Sequence, residues 1–147
     1  MKYASFGAVA VLMASVASMA AAEDVEVLHW WTSGGEAAAI GVLKDTLAKE
    51  GIGWKDAPVA GGGGSAALTA LKARVSSGNP PTAAQISLKG LQEWAAEGLL
   101  GDLTPLAEKE NWAAVLPDEI KAAAMYEGKS VGVPFNIHRA NWMWMNA

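Results

Sequence analysis

Two tryptophans stand side by side at Trp30 and Trp31, followed by Thr32, Ser33, Gly34, Gly35 and Glu36. Successive side chains of an extended chain face opposite ways, so both indoles cannot enter one core, and at least one must line a crevice. Indole covers an apolar C–H face such as one side of a sugar ring, while carboxylate, amide and ammonium groups satisfy a rim of hydroxyls. Glu36 has two readings that can both hold: a hydroxyl ligand at the crevice mouth, or the far half of a Ser33-x-x-Glu36 capping box. The remaining indoles in regular patterns, Trp54, Trp94 and Trp112, read as core.

Other chemistry finds little to work with. Gly61-Gly62-Gly63-Gly64-Ser65 lacks the Lys-Ser/Thr of a phosphate loop and fits neither nucleotide fingerprint, so it reads as a flexible connection. His29 and His138 lie far apart with no third ligand at metal spacing, so no metal site is expected. There is no G-x-S-x-G elbow, and with no cysteine there is no thiolate nucleophile. Most acidic residues fall on expected helix surfaces, where solvated charge explains them.

The elements that must carry these residues alternate. Val25 to Trp30 reads as a buried strand, broken at Thr32 to Gly35. A helix is expected from Glu36 to Glu50 with Ile40, Leu43 and Leu47 on its inner face, ended by Gly51 to Gly53. Trp54 to Val59 reads as a second strand. Ser65 is expected to cap a helix that carries Leu68, Leu71 and Val75 inward as far as Ser77-Gly78-Asn79-Pro80-Pro81. Ala83 to Leu88 reads as a third strand, and Leu91 to Glu97 as a short helix stopped by Gly98. Residues 102–127 read as helical and loop-rich, with Pro105 and Pro117 at element starts. This alternation is the mark of an α/β unit with a parallel sheet, in which loops at the carboxyl ends of the strands form the ligand crevice. Two such loops are Trp31 to Gly35 and Ser87 to Gly90. From Ser130 onward the chain turns extended and Trp/Met-rich, with an uncapped apolar end that suggests a truncated sequence.

The 147 residues carry 15 acidic and 11 basic side chains and no cysteine. Residues 3–22 hold no charge and eight alanines, behind Lys2 and ahead of Glu23, which reads as an export signal cleaved after Ala22 rather than a permanent anchor. Removing it leaves 125 residues with 10 basic and 15 acidic side chains, a net charge of −5. That balance argues against nucleic acid or an anionic membrane as partner. A lipid anchor would need a cysteine at the new N-terminus, so the product is expected free in the export compartment. Seven tryptophans against two phenylalanines and two tyrosines favour flat binding surfaces over ordinary core filling.

Several stretches together resemble one family. They are the export signal, Trp30 to Glu36, the Gly61–Ser65 loop, the Ser77–Pro81 turn, Ala84-Gln85-Ile86, Gln92-Glu93-Trp94, and Val133 to Trp142. The sequence resembles the extracellular solute-binding proteins of sugar ABC importers, most closely the glucose/mannose-binding type, over essentially the whole mature chain. The resemblance implies a periplasmic-binding-protein-like α/β fold of two lobes. Residues 23–128 would then be part of the N-terminal lobe and 129–147 the start of the interlobe crossover, with the second lobe absent. It implies a monomeric periplasmic binder that does no bond chemistry, uses no cofactor, and delivers a monosaccharide to an inner-membrane ABC permease. Trp30 and Trp31 match a sugar-stacking platform and Glu36 an acidic hydroxyl ligand. Relatives commonly place a lysine directly after the Gln-Ile pair; here Ser87 stands there and Lys89 follows two residues later, so either Lys89 is the substitute or the ring hydroxyls are read differently. Asn136 and His138 match the place where related binders bring polar side chains to the cleft, with a hinge-strand histidine satisfied by backbone as the plain alternative. A carbohydrate-cleaving enzyme would need two carboxylates flanking one bond, and Glu36 alone stands at a crevice loop. A membrane-anchored sugar-binding scaffold would have to keep residues 1–22.

Overall fold

The computed structural model describes residues 24–136. The expected export signal and its expected cleavage site, His138 and Trp142 lie outside them. Val25–His29 forms strand β1, whose β-branched Val25 and Val27 suit a strand with neighbours on both sides. Helix α1 spans Gly34–Lys49, strand β2 Trp54–Pro58, and helix α2 Ser65–Ser76, entered through a 3-10 turn at Gly62–Gly64. Strand β3 is Ala83–Ala84 and helix α3 Leu88–Ala96. Three short helices follow, α4 Thr104–Lys109, α5 Trp112–Val115 and α6 Asp118–Ala123, then a hairpin of β4 Met125–Tyr126 and β5 Lys129–Ser130.

Strands β1, β2 and β3 form one parallel sheet in the order β2-β1-β3, as the alternation requires. Register fixes which side chain goes to which face. Val27 pairs with Asp56 and Glu26 with Lys55, so Glu26 and Asp56 point to opposite sides. On one side Glu26 meets Arg74 of α2 at 2.9 and 2.8 Å. On the other, Asp56 has Lys44 of α1 at 3.7 Å. Helices therefore cover both faces. The α2 face holds the apolar core: Leu28, Ala67, Leu71 and Trp94 are buried together, with Ala57, Val59, Leu68, Val75, Ala84 and Ile86 packed around them.

The three long helices end alike. Gly51, Gly78 and Gly98 each take a left-handed φ of +70 to +75° and donate to the carbonyl three residues back, while the next residue donates five back. This Schellman closure satisfies last-turn carbonyls at positions where a side chain would be strained. In the hairpin, Glu127 and Gly128 both have positive φ, the type I′ pattern that matches strand twist. Gln92 of α3 donates to the carbonyls of Ala123 and Met125, and Leu103 and Ser130 tie the hairpin to the start of α4.

Some expectations need correction. The third strand does not run to Leu88: its ladder ends at Ala84 and α3 begins at Leu88, three residues earlier than the apolar spacing suggested. Leu43 is 44 % exposed, because only Ile40 of α1 is buried by the narrow sheet beneath it. Gly64, not Ser65, is the N-cap of α2. Trp94 is core, whereas Trp54 and Trp112 are half-buried. Residues 131–136 carry no regular secondary structure, and Gly132 passes so near α3 that an added Cβ would stand 3.0 Å from Leu91.

The Glu26–Arg74 pair sets an acid dependence. The Arg74 hydrogen bonds, aided by Lys55, hold the Glu26 carboxyl below the usual carboxylate range. The unfolded chain therefore binds more protons than the folded one in that window. The pair's contribution is complete above the unfolded pKa near 4.5 and is lost as pH falls through the lower folded value. Replacing Arg74 with Met should lower the urea midpoint most near neutral pH, and the gap to wild type should close on acidification. A gap that is constant with pH would contradict this linkage.

Candidate functional site

The sheet reverses its order at β1: the chain moves from β1 to β2 on one side and returns to β3 on the other. In open α/β sheets ligands bind outside the carboxyl ends of the strands at such a switch point. Trp30 and Trp31 leave the carboxyl end of β1 there, and Gln85, Ile86 and Ser87 leave that of β3.

The two chains are joined by an exchange of partners. Gln85 N donates to Leu28 O at 2.8 Å, continuing the parallel ladder by half a rung. A continued ladder would next place the Gln85 carbonyl opposite the Trp30 N–H. Instead the Trp30 N–H donates to the Gln85 side-chain Oε1 at 3.1 Å. The side chain stands in for the main chain, and the main chain is released to turn into α3. Gln85 is 8 % exposed, and its side-chain oxygen is held in this bond. This substitution is why the third strand is short.

Trp30 lies on the α2 face, half-buried against the core, and Gly64 comes so close that an added Cβ would stand 2.9 Å from the indole. The glycine-rich run is thus an approach surface for Trp30 as well as a connection, and Gly64 holds φ +80°. Trp31 is 7 % exposed, and its ring meets Phe135 at a centroid distance of 5.0 Å and a tilt of 58°. The pair therefore does not form a bare floor. Trp31 is buried with Phe135 against its ring, and Trp30 is the indole with more open surface.

The other candidates surround this end of the sheet to differing degrees. Glu36 is half-buried in the first turn of α1, whose N-terminus follows the carboxyl end of β1. Ser33 is the N-cap in extended conformation, yet its hydroxyl makes no capping hydrogen bond, so its half of the capping box is not formed. Ser87 is the extended N-cap of α3 and Lys89 lies in its first turn, both exposed. Asn136 is exposed beside Phe135, which brings it to the Trp31 side. His138 lies outside the described residues.

Sequence reasoning missed two participants. Gln85 was visible only as a motif member, because nothing in the order of residues shows a side chain replacing a main-chain rung. Nor does the order of residues show a partner for His29, which is 3 % exposed with its Nε2 2.9 Å from Asp56 Oδ1. Asp56 also accepts from Trp54 Nε1 at 3.0 Å. His29 first, then Trp54 with help from Lys44, holds the Asp56 carboxyl below its usual range. Among the described residues no group of three His, Asp or Glu side chains could hold a metal ion. A groove of about 230 Å³ between α2 and α3, lined by Lys72, Val75, Glu93 and Trp94, involves the later turns of both helices and so lies away from the strand ends.

A parallel α/β unit with indoles at its switch point is the layout of a small-molecule binder. The chain belongs to the bacterial extracellular solute-binding protein family, whose profile matches residues 30–147. That family is non-enzymatic. The chain is 50 % identical over 145 residues to a probable sugar-binding periplasmic protein of Rhizobium meliloti, covering 99 % of this chain and 35 % of that protein. It is 53 % identical over 139 residues to a protein of the same description in Mesorhizobium japonicum, covering 95 % and 33 %. An uncharacterized ABC transporter extracellular-binding protein of Pyrococcus horikoshii is 32 % identical over 128 residues, covering 84 % and 29 %. The chain thus spans about a third of the length of the curated relatives it matches.

Gln85→Leu keeps the volume but leaves the part-buried Trp30 N–H without its acceptor. A stability loss of about 1–3 kcal/mol in urea unfolding is expected. A variant within about 0.5 kcal/mol of wild type, the lower bound for a single hydrogen bond, would contradict the role assigned to this bond.

Proposed function

We propose that this protein is the sugar-binding subunit of a periplasmic ABC importer, taking a monosaccharide of the glucose or mannose type and delivering it to an inner-membrane permease. The observation that carries the proposal is the placement of tandem tryptophans at the switch point of a family built to bind solutes. The likeness to probable sugar-binding periplasmic proteins of Rhizobium and Mesorhizobium supports it.

In this reading Trp30 offers its open indole surface to the apolar face of the pyranose, and Trp31, backed by Phe135, bounds it. Glu36, from the start of α1, accepts from ring hydroxyls. Ser87 and Lys89, from the start of α3, serve the opposite rim, with Lys89 in the part that a lysine after the Gln-Ile pair plays elsewhere. Asn136 and His138 contribute from the crossover. Charge-assisted hydrogen bonds contribute roughly 1.5–3 kcal/mol each, which orients a small neutral ligand rather than merely trapping it.

Residues 1–22 direct export and are removed after Ala22. Residues 23–128 belong to one lobe and 129–147 lead towards a second, and the protein acts as a monomer. Sugar binds between the lobes and favours the shut form, because only that form contacts it from both sides; the permease then reads the shut form.

Residues 23–147 taken by themselves present one wall of the proposed cleft, so their sugar binding is expected to be weak, with a dissociation constant of about 1 mM or higher. In a two-dimensional NMR titration, the indole N–H signals of Trp30 and Trp31 should move with glucose or mannose and stay still with a neutral amino acid. Trp30→Ala should end the response. Indole signals that ignore both sugars would contradict the proposal.

A further inference from the structure

The proposed function leaves one buried polar side chain of the site without a task. His29 occupies the last position of β1, directly before the tryptophans, and is 3 % exposed. Its Nε2 lies 2.9 Å from Asp56 Oδ1. Asp56 also accepts from Trp54 Nε1 and has Lys44 Nζ at 3.7 Å from Oδ2, so a neighbour from β2 and one from α1 converge on the same carboxylate. An ionised carboxylate only accepts, so the proton of the contact sits on Nε2. The other ring nitrogen, Nδ1, is buried and has no hydrogen-bond partner among the described residues.

As packing alone this is a poor choice. A leucine fills similar space and brings no buried nitrogen that lacks a partner, a deficit that ordinarily costs stability. What the ring supplies instead is direction. Gly64 meets the Trp30 ring on the α2 face and Gln85 ties the Trp30 N–H to the β3 side, so neither links β1 to β2 on the α1 face. His29 is the polar side chain that ties the end of β1 to β2 on that second face, and Trp31 lies two residues beyond it.

We infer that His29 is a positioning residue for the tryptophan pair: through its bond to Asp56 it fixes the end of β1 from the α1 face, so that the two indoles meet the ligand at a set angle. The inference rests on the sugar-binding reading. His29 itself does not touch the sugar.

The test compares wild type with His29→Leu, His29→Gln and Asp56→Ala in the same glucose titration of indole N–H signals, each variant first checked for cooperative melting. Glutamine places its amide nitrogen where histidine carries Nε2 and can donate to Asp56; leucine fills the space and cannot. His29→Leu and Asp56→Ala should weaken the sugar response about tenfold or abolish it, the effect of losing one hydrogen bond to a charged group. His29→Gln should restore the wild-type response even if its melting temperature falls. His29→Leu or Asp56→Ala binding as wild type does, or a folded His29→Gln as weak as His29→Leu, would overturn the inference while leaving the sugar reading in place. Wild-type signals that ignore glucose would overturn the sugar reading and this inference with it. Should His29→Leu fail to fold, the contrast between His29→Gln and Asp56→Ala decides the matter in the same way.

Discussion

Where β1 ends, a side chain takes over from the main chain. The Trp30 N–H, which a continued ladder would give to the Gln85 carbonyl, goes to the Gln85 side-chain oxygen instead. That one exchange has two consequences. It extends the order of the central strand by a residue, into the tryptophan pair, and it frees the backbone of residues 86–88 to leave the sheet and begin α3. A longer β3 would carry Ser87 on along the sheet; the short one leaves Ser87 as the N-cap of α3, with Lys89 in the first turn. The geometry of the strand ends therefore follows from where pairing stops, more than from how far it runs.

The two faces of the sheet are built differently, and the difference suits a site at its edge. Towards the carboxyl ends of the strands, beyond the Glu26–Arg74 pair, the α2 face is apolar, closed over by Leu28, Leu71 and Trp94. The α1 face is polar at the same level, with His29, Asp56, Trp54 and Lys44 in contact. Hydrophobic contact tolerates small rotations of a strand end, whereas hydrogen bonds to a carboxylate fix direction. An edge held by non-directional packing on one face and by directional bonds on the other resists both displacement and twist. Phe135 adds a third support from residues 131–136 by lying against Trp31.

Much of this was legible in the order of residues. The alternation of strand and helix gave the parallel sheet, the glycines at 51, 78 and 98 marked three helix ends, and Trp94 was recognisable as core from its helical spacing. The features that escaped share one cause. Gln85 replacing a ladder rung, His29 meeting Asp56, and Phe135 covering Trp31 are contacts between residues 27 to 104 positions apart, and no local period encodes them. Ser87 followed by Leu88 reads as the end of a strand until the tertiary acceptor for Trp30 is known. The capping reading of Ser33-x-x-Glu36 failed for a local reason that sequence also hides: Ser33 has the extended backbone of an N-cap, but its hydroxyl makes no capping bond.

Amide hydrogen exchange at Trp30 probes the pivot directly. Its N–H lies past the last paired residue of β1, where a loop amide would exchange in the unprotected range, yet it is bonded to a buried glutamine. Protection comparable to Leu28 within the strand, falling away by Thr32, is the expected result. Exchange at Trp30 as fast as at Thr32 would mean that the strand end is not held, and that the tryptophan pair has no fixed base on which to receive a ligand.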